Sequence, residues 1–189
     1  MLKKMIAVIG IFCILFSFGG CSDTDYEVLD GSQENYKLFR STPLGFAMEF
    51  PKSWGYIADM ESKVVKFDAP QEGYSDEYKE AVSIARVEVD GKEDGFDSFA
   101  KAHRTQLEKL KHYTMVEEGK TKLGGEDAYR LVYELTDGKE EDPSQMRFLN
   151  IIARKDDYIY IVTYAGDFSS YSYFLTHFNK MVDTFEFIG

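Results

Sequence analysis

The sequence predicts an α+β protein in which helices pack on a central antiparallel β-sheet. Three observations carry this. Stretches with two-residue alternation or a short apolar run follow one another along the chain, the pattern of consecutive strands. Two other stretches repeat their apolar residues with a helical period, one in mid-chain and one near the end. Aromatic residues (15 Phe, 13 Tyr and one Trp in 189 residues) supply the bulk for a sizeable core. Strands in runs, with one helix inserted and one near the end, favour helices laid on an antiparallel sheet.

In chain order, Tyr36 to Arg40 and Gly45 to Phe50 read as strands separated by the turn residues Ser41, Thr42 and Pro43. Pro51-Lys52-Ser53 breaks the second strand, and Trp54 is placed to cover the end of a sheet. Val64–Phe67 and Val82–Val89 follow, the latter with both faces partly apolar. From Gly95 to Leu110 the period changes: Phe96, Phe99, Ala100, His103, Leu107 and Leu110 fall on one helical face. Strands are then expected near Met115–Lys122, Asp127–Thr136, Met146–Arg154 and Tyr158–Tyr164, the last two joined by a hairpin at Lys155-Asp156-Asp157. A closing helix is expected from Ser169 to Thr184, capped by Asp167 or Ser169, with an apolar stripe through Tyr171, Phe174, Leu175, Phe178, Met181, Val182 and Phe185.

The amino end has a different plan. Lys3 and Lys4 precede an uncharged run of 14 residues, Met5 to Phe18, followed by Gly19, Gly20 and Cys21. A positive start, a short apolar stretch and small residues before a cut make an export signal. As a helix the run would cover about 21 Å of a hydrocarbon core about 30 Å thick, so it is a poor span. The Gly-Gly-Cys ending resembles the lipobox of bacterial lipoproteins, with Phe18 where Leu is usual. That resemblance implies a lipid-modified Cys21, cleavage before it, and a domain held at the extracytoplasmic face of the cell membrane. An uncleaved anchor would also export the domain, since Lys3 and Lys4 would stay inside. Ser22 after Cys21 leaves both one-membrane and two-membrane cells open.

The expected divisions are therefore 1–20 (signal peptide), 21–35 (lipidated start and flexible acidic tether) and 36–189 (folded domain). The tether has an r.m.s. reach of roughly 20 Å, enough to carry the domain clear of the headgroups. Removing the signal leaves 20 basic against 33 acidic residues, a net charge of −13. Such an excess disfavours nucleic acid and anionic lipid as partners and reads as a solvated surface. Cys13 leaves with the signal, so the mature chain has no second thiol for a disulfide or a thiolate cluster.

Several segments together resemble the PsbP-like group, which includes Mog1- and DcrB-type proteins. They are Gly45-Phe46-Ala47-Met48-Glu49-Phe50-Pro51-Lys52-Ser53-Trp54, Gly124-Gly125-Glu126-Asp127-Ala128-Tyr129, Tyr158-Ile159-Tyr160-Ile161-Val162-Thr163-Tyr164, and the closing helix with Thr184-Phe185-Glu186-Phe187. The resemblance implies an α/β/α sandwich around an antiparallel sheet. It also implies a non-enzymatic binding or assembly module, as in subunits associated with photosystem II or a binder of a small GTPase. The matching residues have structural work of their own: Gly124 and Gly125 for a turn, Pro51 to end a strand, aromatics to fill the core.

Catalytic patterns are missing from the sequence. His103, His112 and His177 form no HExxH or other close ligand pair, and no Ser sits in a GxSxG elbow. Asp90, Asp94 and Gly95 match three positions of a calcium loop, but Lys92 and Lys101 stand where oxygen ligands are needed. Asp137-Gly138-Lys139-Glu140-Glu141-Asp142 reads as a solvated hairpin tip. Neither a metal nor a cofactor is expected. The leading expectation is a lipid-anchored binding or assembly module with a protein partner in the cell envelope. The alternatives are an enzyme acting on envelope polymers, marked by two converging carboxylates, and a substrate-capturing transporter component, marked by a deep cleft.

Overall fold

The computed structural model describes residues 25–71, 79–89, 95–136, 138 and 145–189. Its elements are β1 (Glu27–Asp30), β2 (Tyr36–Ser41), β3 (Phe46–Pro51), β4 (Gly55–Asp59), β5 (Val64–Asp68), β6 (Ala81–Glu88), α1 (Gly95–Leu107), β7 (Tyr113–Leu123), β8 (Glu126–Thr136), β9 (Gln145–Lys155), β10 (Tyr158–Asp167), α2 (Tyr171–Asp183) and β11 (Glu186–Phe187). Seven strands form one sheet in the order β4-β5-β6-β10-β9-β8-β7, and four form a smaller one, β1-β2-β3-β11. The paired strands all run antiparallel. The fold is α+β, as the sequence predicts.

Paired residues share a face, so register decides which side chains meet. Val82 and Ile84 of β6 lie opposite Tyr164 and Val162 of β10, and this face packs against the small sheet and α2. Val87 lies opposite Ile159, on the face covered by Phe99 and Leu107 of α1. The large sheet is thus buried on both sides, which is why its central strands read as apolar runs rather than as clean alternations.

Aromatic rings join the two sheets. Phe39 of β2 is fully buried; it stacks on Tyr26 at 5.3 Å and on Phe46 at 5.6 Å, and meets the edge of Phe67 in β5 at 5.7 Å. Gly45, at φ 74°, turns the chain from β2 into β3 where a Cβ would collide with the Tyr160 hydroxyl. Gly124 and Gly125, at φ 54° and 86°, form the two-residue turn between β7 and β8, which needs positive φ at both positions.

Three expectations are corrected. The tether assigned to 21–35 is not free over its second half, because Glu27–Asp30 pair with Lys37–Arg40 as β1. Val28 supplies the reason: it lies opposite Phe39 and packs against the core. The closing helix is preceded by Ser170, not by Asp167 or Ser169; pairing with Met146 holds Asp167 in β10. The Asp167 carboxylate instead accepts the Ser169 backbone N–H at 2.9 Å and its hydroxyl at 2.6 Å. Strand β3 does end at Pro51, whereas α1 stops at Leu107 rather than Leu110. Trp54 is buried against Phe174 of α2.

Candidate functional site

Helix α2 packs on β3 and β10. The β7–β8 side of the same sheet face extends past it, and there an open hollow of about 680 Å³ lies between helix and strands. Its floor is apolar, formed by Leu149 and Ile151 of β9 with Phe178 and Val182 of α2. The stripe of α2 legible in the sequence is wider than the strands it covers, so Val182 is left at the hollow's edge.

The rim is charged. Lys120, Lys122 and Arg130 stand on the strand side, Asn179 and Asp183 on the helix side. Two of these charges are held by neighbours. Lys122 reaches Asp127 at 2.8 Å, and Arg130 reaches Glu117 at 2.5 Å. The Lys122 ammonium holds the Asp127 carboxyl below its ordinary range, so this acid stays ionised and is no proton donor near neutral pH. Such a surface offers apolar contact with a fixed polar margin, which is the anatomy of a binding patch. Its openness disfavours enclosure of a small solute.

The three histidines lie apart from this hollow. His103, on the sheet-facing side of α1, is fully buried, with Nε2 accepting from Asn150 Nδ2 at 2.9 Å. Burial pushes its pKa down to about 4, so the ring is neutral at physiological pH. His177 Nδ1 meets the Tyr36 hydroxyl at 3.0 Å, between Trp54 and Phe174. His112 ends the turn before β7 with φ 56°. Among the described residues no group of three His, Cys, Asp or Glu side chains could hold a metal. No described helix is long and apolar enough to cross a membrane.

Cys21 lies outside the described residues, as do Asp90–Asp94 and, except for Gly138, the acidic loop 137–142. The hollow was not anticipated in the sequence. Its walls come from segments about 30 residues apart on successive elements, and no local motif joins them. The nearest sequence signal is Lys120-Thr121-Lys122, a basic pair in an acidic chain.

A family model described as PsbP-like protein matches residues 5–187. Three solved structures share the fold at low identity. LpqN of Mycobacterium tuberculosis, described as involved in cell envelope biogenesis, is 9% identical, covering 76% of this chain and 83% of its own, with a TM-score of 0.59. The cyanobacterial PsbP of Synechocystis sp. PCC 6803 is 13% identical over 92% of this chain and 98% of its own, with a TM-score of 0.55. The Ran-binding protein Mog1p of Saccharomyces cerevisiae is 11% identical over 76% and 90%, with a TM-score of 0.51. No curated protein matches this chain in sequence.

Proposed function

Because the chain belongs to the PsbP-like protein family, we propose that it is a non-catalytic binding or assembly module, exported and held by lipid on Cys21 at the extracytoplasmic face of the membrane. The observation that carries the binding role is the hollow beside α2, with an apolar floor and a charged rim on which Lys122 and Arg130 are ion-paired. A protein partner in the envelope fits this surface better than a small solute does. LpqN, described as involved in cell envelope biogenesis, and Mog1p, described as Ran-binding, support a protein-facing role on this scaffold.

Asn179 is exposed on the rim and makes a direct probe of the hollow. A photo-cross-linker at this position is expected to capture a discrete envelope protein in intact cells, and Asn179→Trp to reduce co-purification of that protein by tenfold or more (about 1.4 kcal/mol). Undiminished co-purification with a normally folded variant would remove the hollow from the reading.

The anchor has its own test. Cys21→Ala is expected to abolish incorporation of labelled fatty acid and either release the protein or leave its precursor uncut. Labelling that survives the substitution overturns the lipid assignment.

A further inference from the structure

We infer that the pole of the domain carrying the β2–β3 turn faces the lipid bilayer at close range, leaving the α2 N-terminus pointing away from it. The inference rests on lipidation of Cys21. Its own evidence is where the folded chain starts. Four residues, 21–24, precede the first described residue, Asp25. However they are arranged, the step from Cys21 to Asp25 spans at most about 14 Å.

The start of the domain is also pinned. The Asp25 carbonyl accepts the Ser41 hydroxyl at 2.7 Å, Tyr26 stacks on Phe39, and β1 pairs with β2 along its whole length. The leash therefore cannot lengthen by peeling off β1 without exposing Tyr26 and Val28, which pack against the core. Ser41 ends β2, so the attachment point lies beside Thr42 and Pro43. The same pole holds the other turns: Arg86 donates to the Pro43 carbonyl and stacks over Tyr158, the first residue after the β9–β10 turn.

Three to four residues along the strands from this attachment, Leu29 and Leu38 lie opposite one another on the outer face of the small sheet, and Leu29 is 49% exposed. At the opposite pole, Tyr173 near the start of α2 is 67% exposed. Strand β10 runs from one pole to the other, and its ten residues separate them by about 30 Å.

The test uses the lipidated chain in phosphatidylcholine vesicles carrying a headgroup energy acceptor. Donor dyes are placed singly on Thr42→Cys and Tyr173→Cys, both exposed positions, with the Cys21 thiol blocked by its lipid. Transfer from position 42 is expected to exceed that from position 173 at least about twofold, as poles about 30 Å apart require. A Gly/Ser spacer of about 20 residues inserted after Ser22, with an r.m.s. reach of about 25 Å, should abolish the difference. Equal transfer from the two positions at native leash length overturns the orientation. Flotation of the vesicles separates this from a failure of the anchor: a chain that does not float with lipid overturns both.

Discussion

Phe39→Ala is expected to lower the free energy of unfolding by about 3–5 kcal/mol, the range for removing a fully buried aromatic ring. Phe39 has no exposed surface and touches rings from three directions: Tyr26 from β1's side, Phe46 from β3, and Phe67 from the large sheet. Its removal opens a cavity between the sheets that backbone pairing on either side keeps from collapsing. Chemical denaturation should show a lower midpoint with an unchanged slope. A loss below about 1 kcal/mol would mean that the sheets repack, and that the small sheet is less firmly seated than its ring contacts indicate.

The second large effect is a dependence of stability on pH that His103 controls. Its pKa is about 4 in the folded protein, against an ordinary value of 6.5, because burial disfavours the charged ring. Between those values the unfolded chain binds a proton that the folded chain refuses. Stability is therefore complete above about pH 6.5 and falls by about 1.4 kcal/mol per unit toward pH 4, a total of about 3 kcal/mol. His103→Gln keeps an amide facing Asn150 and removes the titrating ring. The variant should show a flatter fall in melting temperature over this window than the parent protein. Parallel curves would show that other groups cause the acid sensitivity.

Much of the fold was legible because its elements are long and bury periodic side chains. Strands β5 to β10 and both helices lie within a few residues of where apolar patterning puts them. Three strands escaped. In β1 two of four residues are acidic, and its stability comes from pairing with β2 rather than from its own composition. Strand β4 opens with glycine and has no fully buried residue. Strand β11 is two residues long and exists through pairing with Phe46 and Ala47, some 140 positions earlier. The largest strand-boundary difference has one cause: ladder pairing with β9 carries β10 through Asp167, past Tyr164 where the apolar run stops.

The site was less legible than the fold. Phe178 and Val182 read correctly as an apolar stripe, but a stripe does not say how far the sheet beneath it extends. Lys122 and Asp127 straddle the Gly124–Gly125 turn, and hairpin geometry brings them to 2.8 Å. Nothing in either residue alone suggests a rim. His103 illustrates the converse. Its place on the apolar face of α1 was visible, and its burial follows from that, whereas its partner Asn150 sits in the otherwise apolar middle of β9, between Phe148 and Ala153.

The strand order has a consequence for how the chain is made. Strand β6 lies between β5, completed some dozen residues before it, and β10, which is not finished until Asp167. The small sheet likewise receives β11 last. A ribosome that has reached α1 has produced β6 with its β10 edge bare and without α2, which helps to cover the face carrying Val82 and Ile84 in the finished domain. Pairings this distant in sequence form late, because the loop between them must close before any contact rewards it. Folding therefore waits for nearly the whole chain. A polypeptide that stays open until its last strands arrive keeps a threadable form throughout synthesis.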